Sequence, residues 1–206
     1  MPNWCDCDVY FNGDEEDVVK LLDFIHGEDE ETLIDFNKII PMPESLNITS
    51  GSTVDRAMIL LGENERELSN MMTYPWAIEQ GLDTEEKMLA HLEKEVSQED
   101  LEMGRIAISN IEKYGFQDWY EWSVKNWGTK WPATSQEMMG DSSISFSTAW
   151  SPATPVLQKL SELFPDVEIR LEYFEQGMGF SGLMEWSGGE LVQDVYDDHY
   201  EGGRGG

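Results

Sequence analysis

Apolar and polar residues alternate with a period of two at both ends of this chain, and with the longer period of a helix between them. Near the start, Cys5, Cys7, Val9 and Phe11 share one face of an extended segment, and Trp4, Asp6, Asp8 and Tyr10 share the other. Asn12-Gly13 ends it. Asp14 is then placed to cap a helix whose first turn, Glu15-Glu16-Asp17, suits the positive helix N-terminus. Val18, Leu21, Leu22 and Ile25 form its apolar stripe, and His26-Gly27 closes it. Ile34, Phe36 and Ile40 suggest a second strand over 33–40, broken by Pro41 and Pro43. Residues 1–50 thus read as a β-α-β half.

Residues 51–117 change character. Helical periodicity runs through 54–61, 65–72 and 85–96, the last capped by Thr84, and then through a longer helix capped by Ser97. Acids abound and alternation is missing, so this stretch reads as an acidic helical insertion. Residues 118–200 resume the earlier logic. A Trp-rich helix over 117–127 stops at Gly128, and Ile144, Phe146, Thr148 and Trp150 share a strand face. Ser151-Pro152 suggests a helix start for Val156, Leu157, Leu160, Leu163 and Phe164. Val167 to Tyr173 alternates as a strand, and 180–186 and 190–196 form a hairpin across Ser187-Gly188-Gly189. The glycine-rich 201–206 is expected to be a disordered tail. Two β-α-β halves imply an α+β fold, the ferredoxin-like split βαβ sandwich: an antiparallel sheet with two helices on one face. To it are added the insertion and a C-terminal hairpin.

Four stretches carry a resemblance. They are Met1-Pro-Asn-Trp-Cys5; Asp35-Phe-Asn-Lys-Ile-Ile-Pro-Met-Pro43; Asn126-Trp-Gly-Thr-Lys-Trp131; and Thr148-Ala-Trp-Ser-Pro152 with Tyr173-Phe-Glu-Gln-Gly-Met-Gly179. In this order they resemble the YubB-type ferredoxin-like family of small proteins carried by bacteriophages and conjugative plasmids, over nearly the whole chain except about 50–115. The resemblance implies a ferredoxin-like fold, a mobile-element origin and action in the cytoplasm of a bacterial host. It implies no activity, and no catalytic residue is carried over. The family name describes a fold; an iron–sulfur cluster takes about four cysteines, and the chain has two.

Charge narrows the function. Asp and Glu number 42 against 13 Lys and Arg, a formal charge of −29. Such a surface repels nucleic acid backbones and anionic membranes, so neither is expected as a direct partner. The start lacks a basic region and an apolar run, so no signal peptide is expected. Cys5 and Cys7, at i and i+2 on one strand face, are poorly placed for a mutual disulfide and too few for a zinc site. Gly177-Met-Gly-Phe-Ser-Gly182 matches G-x-G-x-x-G but continues as strand instead of opening a helix, and reads as a glycine-rich turn. His26, His91 and His199 fall in separate elements with no Ser or Cys motif beside them. Asp194, Asp197, Asp198 and His199 read as a solvated tail more readily than as a metal site. No catalytic residue, metal or cofactor is expected.

The acidity itself is the functional lead. Rows of carboxylates on a folded protein present a field like that of duplex DNA and are drawn to grooves built from Lys and Arg. The expected partner is a host protein with a basic nucleic-acid-binding groove, such as a CRISPR effector or restriction enzyme. The contacts expected are Asp14, Glu15, Glu16 and Asp17; Glu28, Asp29, Glu30 and Glu31; and Glu93, Glu95, Glu99 and Asp100. The competing expectation is an interaction module working through Trp127, Lys130 and Trp131, with acidity serving solubility. A metal-dependent hydrolase ranks third.

Overall fold

In the computed structural model, which describes residues 3–198, the first alternating segment is strand β1, Trp4–Asn12, with Cys5, Cys7, Val9 and Phe11 all buried. Helix α1, Glu15–Ile25, follows and buries Val18, Leu21 and Ile25. Asp14 sits at its N-cap, yet its side chain makes no capping bond. Residues 33–40 form no strand. Asp35 instead accepts from the Asn37 N–H and caps the one-turn helix α2, Phe36–Ile39. The alternation of Ile34 and Phe36 arises because both are core residues flanking a cap.

The helical stretch contains α3, Ser52–Leu60, α4, Glu65–Met71, α5, Pro75–Glu79, α6, Glu85–Glu95, and α7, Gln98–Tyr114. Helix α5, opened by Pro75, escaped the sequence reading. Beyond it lie α8, Trp119–Asn126, then β2, Thr134–Gly140, β3, Ser143–Ala149, α9, Thr154–Leu163, β4, Glu168–Glu175, β5, Phe180–Ser187, and β6, Glu190–Asp197. Helix α9 starts after an Ala153 cap, later than Ser151-Pro152 suggested. Ser151 instead donates its hydroxyl to the Gly128 carbonyl at 2.6 Å.

The six strands form one sheet in the order β2-β3-β1-β4-β5-β6, each neighbouring pair antiparallel. Strands β2-β3-β1-β4 reproduce the ferredoxin-like arrangement, with β3 between β1 and β2. The second strand of the first βαβ half is therefore β2, far along the chain, and not 33–40. Val9 stands opposite Ile144 on one side and Leu171 on the other, giving rows of buried side chains across the sheet. Helices α1 and α9 share the face that covers them: Phe24 of α1 meets Phe164, just past α9, with ring centroids 5.4 Å apart. Phe36 of α2 meets Phe146 of β3 edge-on at 6.1 Å.

The chain divides into a sheet unit, Met1–Met42 with Trp122–Gly206, and a helical unit, Pro43–Glu121. In the helical unit Ile59, Leu68, Met71, Ala77, Met88 and Leu92 make a core. Helices α3 and α7 approach closely at Gly104, where an added Cβ would lie 2.9 Å from that of Ala57. Buried Asn110 donates to the carbonyls of Ser45 and Gln117, tying α7 to the loops beside it.

Candidate functional site

Stretches far apart in sequence meet at one corner of the sheet unit. The Trp150 N–H donates to the Asn3 carbonyl, and the Thr129 hydroxyl to the Ala149 carbonyl, each at 2.9 Å. Gly128 has φ +79°, and a Cβ there would lie 2.6 Å from Pro155 Cδ, so the turn after α8 requires glycine. That turn separates two tryptophans of one motif. Trp127 is only 2% exposed; it packs edge-on against Trp122 at 5.3 Å and Phe36 at 5.9 Å. Its indole N–H donates to the Ile40 carbonyl at 2.9 Å. Trp127 is a core residue and cannot serve as the contact the sequence suggested.

Lys130 and Trp131, past the turn, are half-buried and join residues the sequence reading had not connected to them. Trp4 lies 6.1 Å from Trp131, and the Lys130 ammonium stands 4.6 Å from the Trp131 ring centroid and 5.3 Å from that of Trp150. Trp4 is 38% exposed and Trp150 40%. Trp150 also has φ +73°, a left-handed conformation costly for a bulky residue, by about 1–3 kcal/mol. The corner thus presents indoles to solvent on a backbone that holds one of them under strain.

A second feature begins where the corner ends. Residues 132–138 and the loop 27–35 enclose two adjoining open depressions, lined by Glu28, Asp29, Glu30, Glu31, Asp35 and Glu137 with no lysine or arginine among the lining residues. The nearby Lys38 donates to the His26 carbonyl. The loop is organised by its own bonds. Asp29 accepts from the N–H groups of Glu31 at 3.0 Å and Thr32 at 2.8 Å, and the Gly27 N–H donates to the Thr32 carbonyl at 2.7 Å. Bonding from Thr32 first, and then from Glu31, holds the Asp29 carboxyl below the usual range. Gln136 fastens loop to strand: its side-chain oxygen accepts from the Ile34 N–H at 2.8 Å, and its amide donates to the Ile34 carbonyl at 3.4 Å. We call this feature the acidic trough. Glu137 joins it through the fold alone, with no local sequence sign.

The other predicted acids are distributed differently. Asp14, Glu15, Glu16 and Asp17 lie at the opposite end of α1 from the trough, and Lys20 pairs with Glu16 at 3.0 Å and Asp17 at 3.1 Å. Glu93, Glu95, Glu99 and Asp100 belong to the helical unit. There Glu95 pairs with Arg56 at 3.1 Å, and Asp100 completes the capping box of α7 with Ser97, which holds its carboxyl low. Glu93 and Glu99 are exposed.

Among the described residues no group of three or more His, Cys, Asp or Glu is placed to hold a metal ion. His199 lies outside the described residues, as does the tail. Cys5 and Cys7 are buried and unbridged, and the Cys5 thiol is pushed far up by its hydrogen bond with Cys7 and by burial, which suppresses the nucleophilic thiolate. Glu175, also buried, accepts from the Gly177 N–H at 2.7 Å and holds the β4–β5 turn, so the Gly-rich motif is a turn built around a carboxylate. Among the described residues no helix is long and apolar enough to cross a membrane.

Fold and surface together define a ferredoxin-like α+β protein bearing an aromatic corner and an acidic trough. Residues 126–203 match the family described as "Ferredoxin-like domain in Api92-like protein". Among solved structures, the chain is similar to that of a protein api92 from Yersinia pseudotuberculosis, at 13% identity and TM-score 0.47, covering 98% of this chain and 99% of the other. Curated proteins give no match.

Proposed function

We propose that this chain is a non-enzymatic protein of a phage or conjugative element that acts in the cytoplasm of a bacterial host. It binds the nucleic-acid groove of a defence complex, such as a CRISPR effector or restriction enzyme, and keeps the nucleic acid out. The observation that carries this reading is the trough, where carboxylates of a hydrogen-bonded loop and of β2 line two adjoining depressions with no lysine or arginine among the lining residues. Clustered carboxylates attract a cationic groove at long range and steer it into contact. The YubB-type resemblance supplies the mobile-element setting, in which blocking such a complex is useful.

The test is affinity capture from a bacterial host with the wild-type chain and with Glu28→Gln/Glu30→Gln/Glu31→Gln/Glu137→Gln. Wild type is expected to retain a nucleic-acid-binding protein that duplex DNA displaces and rising salt releases. The variant is expected to lose it, whereas single substitutions change little. A captured partner indifferent to salt, to DNA and to the four substitutions overturns the reading.

A second reading, in which the acidity serves solubility alone and the partner is held by the segment containing Lys130 and Trp131, draws on the exposed indoles of Trp4 and Trp150. It predicts that the quadruple variant keeps its partner while removal of the Trp150 indole releases it.

A further inference from the structure

We infer that the aromatic corner and the acidic trough form one continuous docking surface for an extended, arginine-bearing segment of the partner protein. The inference rests on the proposed acidic reading and adds the chemistry of the partner's side chains.

Trp131 is followed directly by Pro132 and Ala133, which line the trough. A chain advances at most about 3.6 Å per residue, so the trough begins within roughly 7 Å of the Trp131 backbone. Both features sit on the sheet unit.

Charge and ring chemistry then select arginine. The trough favours any cation, but the corner discriminates. Guanidinium is planar and weakly hydrated, stacks on indole faces and forks onto carboxylates, whereas ammonium stays hydrated as a point charge. The molecule displays the affinity of these rings for cations internally, since the Lys130 ammonium lies over both Trp131 and Trp150. Trp4 and Trp150, 38% and 40% exposed, present indole surface to such a group.

The test titrates the full chain with two extended peptides of equal length and charge, one alternating Arg and Gly, the other Lys and Gly. Binding is followed by tryptophan fluorescence and calorimetry at one low ionic strength. The arginine peptide is expected to bind about tenfold tighter. Trp150→Gly, which suits φ +73°, removes the indole without adding strain and is expected to weaken the arginine peptide more than the lysine peptide, shrinking the preference. Glu30→Gln/Glu31→Gln/Glu137→Gln is expected to weaken both peptides. Equal binding of the two peptides by wild type, or a preference undiminished by Trp150→Gly, overturns the inference and leaves the acidic reading standing. Failure of wild type to bind either peptide overturns both.

Discussion

The sheet ends in β2 on one side and β6 on the other, and these two edges meet solvent in different ways. Strand β2 is irregular: Ser135 has φ +52°, and its pairing with β3 shifts register between Thr134 and Glu137 and again between Met138 and Gly140. The loop 27–35 is fastened to it through Gln136. Strand β6 shifts register once against β5, and Leu191, Val192, Val195 and Tyr196 stand exposed beside Glu190, Asp194 and Asp197. An edge can be protected by bulges and a covering loop, or by charge. Here the covered edge doubles as the wall of a groove, while the charged edge stays a plain strand. The irregular edge is thus where this sheet gains a shaped surface.

The strongest way to break the covered side is Trp127→Ala. It removes the indole that anchors the Ile40 carbonyl and packs on Phe36, and is expected to cost about 3–5 kcal/mol in chemical denaturation. On the β6 side, a Cβ at Gly182 would lie 2.3 Å from the Tyr173 hydroxyl and 2.7 Å from the Val195 carbonyl. Gly182→Ala is therefore expected to cost about 1–3 kcal/mol and to raise hydrogen exchange in β5 and β6 while sparing β2. The same measurement on Gln136→Ala is expected to show the reverse: about 1–2 kcal/mol lost, with faster exchange confined to the 27–35 loop and β2. Lysine at the exposed edge, Val195→Lys, is expected to leave stability within about 0.5 kcal/mol and to suppress self-association at high concentration, as seen by sedimentation.

Acid gives the gentlest probe. The Asp29 carboxyl titrates below its unfolded value, so its contribution to the loop is present above the ordinary aspartate range, about pH 4, and is lost as pH falls through the lowered folded value. The Glu31 and Thr32 amide shifts in NMR, which report the bonds to Asp29, are expected to move as pH falls below the ordinary aspartate range, and Asp29→Asn is expected to remove that component of the movement.

What the sequence disclosed follows burial. Strands β1 and β4 face a core on one side and solvent on the other, so their alternation is visible, and α6 and α7 announce themselves through Thr84 and Ser97. Strand β2 is mostly exposed and carries no alternation, so it was missed, and the buried spacing of Ile34 and Phe36 took its place. The acid run Glu28 to Glu31 is plain in sequence, but Glu137 joins it only through the fold. Trp4 and Trp150 each stand in a recognisable stretch. Their meeting with Trp131 depends on the register that puts Trp4 opposite Ala149, which no local pattern encodes. Trp127 and Trp131 look equivalent until the positive φ at Gly128 sends one inward and the other toward the surface.

The position of β1 has a consequence for biosynthesis. It is an interior strand, yet both its neighbours, β3 and β4, are encoded beyond the helical unit. As the polypeptide leaves the ribosome, β1 emerges with its apolar side chains and both hydrogen-bonding edges unsatisfied, and must wait while residues 43–121 fold through contacts close in sequence. Among the strands, β1 is thus the one separated from both its partners by the longest stretch of chain, and the sheet closes around it only after the helical unit has been made.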